Sequence, residues 1–184
     1  MNSIKVVMPV VAIVIVFLLG NWLFPFSMIS FNKSYSYDQD NVSGREFLKE
    51  YKVAKAFAKE QETDKVSIAV LDFYHTIDHS YIIELGKQSI SKQSLYSLQL
   101  ALEQNRKSFM KLLADDNVDL SIDSKQSLLF AINEIESTEN QLKDLQQLPL
   151  KRSDLRRSIR NTLVTLVFAC ELTDHFYHSY IDQR

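Results

Sequence analysis

The sequence predicts an all-α protein: one N-terminal transmembrane helix, then an up-down antiparallel bundle of four helices, or five if the first of them splits. Three observations carry this. A stretch without charge runs from Val6 to Ile29, bracketed by Lys5 and Lys33. From Gly44 onward, apolar residues recur at three- and four-residue steps, the period of a helix with one buried face. Only three glycines and three prolines punctuate the 184 residues, which favours a few long helices with short connectors.

The charge-free stretch has the length of a membrane span. About 20 apolar residues cross the ~30 Å hydrocarbon layer, and residues 6–26 supply that length. A cleaved signal peptide would have an apolar core of about 7–15 residues ending in small residues. Here the run ends in Asn21-Trp22-Leu23-Phe24-Pro25-Phe26. Residues 1–29 therefore read as an uncleaved signal anchor. Trp22, Phe24, Phe26, Phe31, Tyr35 and Tyr37 cluster at its far end, where aromatic rings suit the headgroup layer. Lys5 and the α-amine precede the span, whereas Lys33 is followed by Asp38 and Asp40. The positive-inside rule then places the N-terminus in the cytoplasm and the C-terminal domain outside, in the periplasm or at the cell surface.

Residues 30–43 are polar, show no helical period, and read as a tether to a soluble domain over 44–184. Its first helical region carries Phe47, Tyr51, Ala54, Phe57 and Ala58, then Val66, Val70, Phe73, Ile77 and Tyr81, ending near Gly86. Polar residues from Gln61 to Asp64 are the place where it could divide. A strand over 66–73 competes, because Val, Ile and Phe are common there. Helix is preferred because the period outlasts a strand of ~8 residues.

Ser91 reads as an N-cap before Leu95, Leu98, Leu102, Phe109 and Leu112, with Asn105 at a seam position where a buried amide fixes register. Asp115 to Asp123 forms an acidic connector. A further helix starts at Ser121 or Ser124 and stops at Leu148-Pro149. The last runs from about Ser153 to Ile181, and its charge-free stretch from Asn161 to Cys170 suggests the most buried helix. The pentad Ser91–Leu95 recurs at Ser124–Leu128, which shared capping chemistry explains without a repeat array.

Composition excludes several functions. The net charge of −2 lacks the basic excess of a general nucleic-acid binder. Glycine is too scarce for phosphate-cradling turns, and no serine sits in a glycine-flanked elbow. The single cysteine, Cys170, falls on an apolar stripe and reads as an inert core residue. No cofactor is expected.

Two constellations remain. All four histidines lie in two short segments, His75 with His79 and His175 with His178, with Asp72 and Glu171 at matching steps. Such i, i+3 and i, i+4 pairs can hold a metal between bundle helices when they point inward. The helical wheel turns both pairs away from the apolar stripes, so a metal- or ligand-binding site at His75, His79, Glu171, His175 and His178 is the secondary expectation. The stronger lead is Lys151, Arg152, Arg156, Arg157 and Arg160, crowded at the start of the last helix. Cations there oppose the helix dipole at about 0.3 kcal/mol or more each, so a sequence shaped only by stability would avoid them.

In layout the chain resembles the anchored helical-bundle domains of bacterial sensors and envelope-complex subunits. The resemblance implies a non-enzymatic interaction module, either an accessory subunit or an inhibitor or immunity-type binder. Its expected partners are the membrane, through residues 6–26, and a protein in or at the membrane. The sequence shows no second membrane helix, which argues against a receptor with a C-terminal cytoplasmic output. If residues 44–86 form two helices, the basic end returns toward the membrane and can meet anionic headgroups; if one, it lies far from it.

Overall fold

Residues 44–86 divide into two helices because polar residues from Gln61 interrupt the apolar period and Asp64 opens a new helix. The Asp64 carboxylate accepts a hydrogen bond from the Ser67 amide at 2.7 Å, satisfying one of the four free amides of that first turn. The computed structural model describes residues 2–27, 30, 34–38, 41–61, 64–80, 85–148 and 150–184. Its elements are α1 (Asn2–Leu23), β1 (Ser34–Asp38), α2 (Asn41–Glu60), α3 (Lys65–Asp78), β2 (Lys87–Ser91), α4 (Lys92–Ala114), α5 (Ile122–Gln147) and α6 (Arg152–Asp182). The five-helix form of the bundle is the one observed, with α1 as a sixth helix. Helix also wins over strand at residues 66–73.

Consecutive helices from α2 to α6 pack on one another, and α6 closes the ring by touching both α2 and α3. One continuous core results. Phe73 of α3, Phe109 of α4 and Phe176 of α6 are fully buried, with Phe109 centred 5.9 Å from Phe73 and 6.4 Å from Phe176. Side chains of this size stabilise a fold by about 1.5–3 kcal/mol each when removed from water. Asn105 is buried in the α4 seam as expected, and its amide donates to Thr76 Oγ1 at 2.7 Å.

The structure corrects the all-α expectation. A two-stranded antiparallel sheet joins β1 to β2, with Ser34 opposite Ser91 and Asp38 opposite Lys87. β1 lies inside the stretch read as a tether, and α2 begins at Asn41, still within it. The reason is local: Ser34-Tyr35-Ser36-Tyr37 alternates, which buries both tyrosines on one face and leaves Ser36 outside. Tyr35, Tyr37 and Phe26 are therefore core residues of the domain, not headgroup-layer aromatics; Trp22 stays exposed. Phe31 lies outside the described residues. α3 stops at Asp78, short of the expected end near Gly86, and Tyr81 lies outside the described residues. Gly86, with φ +92°, turns the chain into β2.

Ser91 caps α4 in a capping box with Ser94. In α5 the cap is Ser121, and Ser124 is the third helical residue that donates to it. The repeated pentad thus occupies different capping registers. Along α6 the Asn161–Cys170 stretch is less buried than expected: Leu163, Leu166 and Ala169 face the core, but Val164 is 48 % and Phe168 53 % exposed. Among the described residues no helix is long and apolar enough to cross a membrane.

Candidate functional site: a basic groove at the start of the last helix

The α5–α6 connector and the first three turns of α6 bring the basic cluster together. Leu155 and Ile159 are fully buried and fix the rotation of the helix, so Arg156, Arg157 and Arg160 emerge on its outer side. These three line a groove of about 890 Å³ bounded opposite by Tyr37 and Asp38 of β1 and Phe47 of α2. Further along α6 the groove becomes apolar, with Leu163, Val164, Val167 and Phe168, and it ends at Glu171. One end therefore presents guanidinium groups and the other presents hydrocarbon.

Two of the five basic residues do not join the groove. Arg152 turns toward α1, its guanidinium 5.4 Å from the Trp22 ring centre and 5.3 Å from that of Tyr35. These are cation–π distances, worth about 0.5–1 kcal/mol each at exposed sites. Lys151 occupies the N-cap position, is exposed, and its side chain makes no capping bond.

The acidic connector sits at the opposite end of the bundle. Gln183, just past α6, donates to the Asp119 carbonyl at 2.6 Å and accepts from the Ser121 amide at 2.7 Å. There Asp115 pairs with Lys65 and is held down to about 2, through that hydrogen bond first and then those from Asn117. Asp64 accepts from the Tyr180 hydroxyl at 2.6 Å and from Arg184 at 2.7 Å. Burial pushes its carboxyl up, but the Ser67 amide, Tyr180 and Arg184 together hold it below the ordinary range. The 31 residues of α6, about 46 Å of helix, separate the basic end from this acidic one.

The histidine segments do not assemble. His75 on α3 and His79 at its C-terminal cap are exposed, their rings 4.2 Å apart, and neither lines the cavity that holds the other pair. His175 Nδ1 lies 3.0 Å from Ser127 Oγ, and His178 stacks on Phe57 at 4.1 Å with Asp174 at 3.6 Å. Glu171 is exposed beside them. Among the described residues no three His, Cys, Asp or Glu side chains are placed to share a metal ion.

His175, His178, Asp174 and Tyr74 do line a second cavity of about 590 Å³, which shares Phe47 and Glu171 with the groove. The Tyr74 hydroxyl and Asp174 Oδ1 are buried there, and neither completes a hydrogen bond of normal geometry. Burial pushes the Asp174 carboxyl up by more than His178 and His175 draw it down. Burial, then Glu50, raises Glu171. Cys170 is buried in the core and its thiol is pushed well above its ordinary value, as suits an inert residue.

The sequence pointed to the arginines but not to their apolar neighbours. Val164 and Phe168 lie on the Arg156–Arg160 line at four-residue steps, a second stripe hidden by reading the whole stretch as core. No protein-family model, curated protein or solved structure matches the chain.

Proposed function

We propose that the chain is a membrane-anchored, non-enzymatic interaction module, with α1 as the anchor and the basic end of α6 as its contact surface for an anionic partner at the membrane face. The observation that carries this reading is the stacking of Arg152 on Trp22 and Tyr35, which puts the basic cluster at the end of α1. Supporting it, α1 carries exposed apolar side chains: Ile13 and Val16 are each 68 % exposed. The N-terminus faces the cytoplasm and the bundle the far side. The partner is a protein in or at the membrane, in a complex that the chain serves as accessory subunit or inhibitor.

The test has two arms. Full-length chain should stay with membranes through an alkaline wash, and a chain lacking α1, residues 2–23, should be released. In native membranes, crosslinking to the partner should fall when Arg156, Arg157 and Arg160 are all replaced by Gln. Release of the full-length chain by the wash would refute the anchor; an unchanged crosslinking profile would refute the contact surface.

A further inference from the structure

We infer that the α6 groove binds a single-chain anionic amphiphile, a long-chain fatty carboxylate drawn from the adjoining bilayer, with its head on Arg156, Arg157 and Arg160 and its chain along Val164, Val167 and Phe168. The inference rests on the proposal that α1 is an anchor and that the basic end meets the membrane surface.

The match is end for end. The three arginines stand within two turns of one another, and planar guanidinium groups take a carboxylate through two parallel hydrogen bonds. From Arg160 to Phe168 the helix rises about 12 Å, and over that distance the groove wall is hydrocarbon. Val164 and Phe168 are exposed apolar side chains in line with the arginines, an arrangement that core packing does not require. A volume of about 890 Å³ is that of a small-molecule site. Two carboxylates also line the groove, Asp38 across from the arginines and Glu171 at the apolar end, so the three guanidinium groups leave a net positive charge at the head position. Burial and Glu50 also push Glu171, at the apolar end, toward its neutral form. Arg152 against Trp22 ties the start of α6, which carries the groove's arginines, to the end of α1.

The experiment uses the full chain in phosphatidylcholine nanodiscs with two photoreactive probes. One is a long-chain fatty carboxylate carrying a diazirine midway along its chain; the other is the matching fatty alcohol. After irradiation, the attachment sites are mapped by mass spectrometry. The carboxylate should label residues 163–168 as well as α1, and the alcohol should label α1 alone. Replacing Arg156, Arg157 and Arg160 with Gln should cut groove labelling about tenfold while leaving α1 labelling intact. Phe168→Asn, at an exposed position that the fold does not depend on, should do the same. Equal groove labelling by both probes, or labelling unaffected by the arginine substitutions, would overturn the inference. Label on α1 but none at 163–168 would sink it and leave the anchor standing. An unlabelled α1 would sink the anchor itself.

Discussion

Arg106 and Glu139 meet across the α4–α5 interface in a two-point ion pair, Nε to Oε1 at 2.8 Å and Nη2 to Oε2 at 3.2 Å. Both side chains are largely enclosed, so each charge depends on the other for its lost hydration. Replacing Arg106 with Met strands the Glu139 carboxylate, and chemical denaturation should show a loss of about 2–4 kcal/mol. The double variant Arg106→Met with Glu139→Leu should recover most of it. A double variant no more stable than the single one would show that the pair matters for packing rather than charge.

Asp64 governs the acid sensitivity of the far end. Its folded pKa is depressed, so its contribution is present above the ordinary carboxylate pKa of about 3.9 and is lost as pH falls through the lower folded value. Asp115, held at about 2, acts in the same direction. Asp64→Ala should cost about 1 kcal/mol at pH 7 through loss of the α3 cap alone. Its unfolding midpoint should fall less steeply below pH 4 than that of the parent chain.

Asp174 behaves in the opposite sense. Burial raises its folded pKa, so the fold is favoured below the ordinary carboxylate value and loses stability as pH rises through the raised one. Asp174→Asn keeps the shape and removes the ionisation. Thermal unfolding should therefore show a stabilised variant at pH 7 and no difference near pH 3. A variant less stable at neutral pH would mean that its contact with His178 outweighs the desolvation.

Trp22 is the single tryptophan of the chain and reports on the Arg152 junction. Arg152→Gln should make its fluorescence more accessible to acrylamide while lowering overall stability by about 1–2 kcal/mol, the scale of two exposed cation–π contacts. Arg152→Lys should fall between the two.

The helices were legible where one face of a long segment is buried. The Leu95–Leu112 and Leu155–Ile159–Leu166 stripes lie in the core, and the histidines turn outward as the wheel placed them. The sheet was not legible, because two five-residue strands carry few apolar residues and β2 lies far along the chain from β1. The alternation of Tyr35 and Tyr37 was a period-two signal obscured by its polar neighbours. The basic cluster was visible as composition. The groove that gives it a shape depends on β1 and α2 being folded against α6, a long-range arrangement that local periodicity does not encode.

Phe26, 2 % exposed and part of the common core, lies three residues past the end of α1. A free tether of 14 residues would have let the bundle swing across ~45 Å. In the structure Phe26 is docked in the bundle core and β1 is paired to β2, so the stretch is held at both points. A pull or twist applied to α1 then reaches the bundle core at Phe26, three residues past the helix. The bundle would move as a lever on its stalk, and the compass direction in which the groove opens would be set by the chain itself.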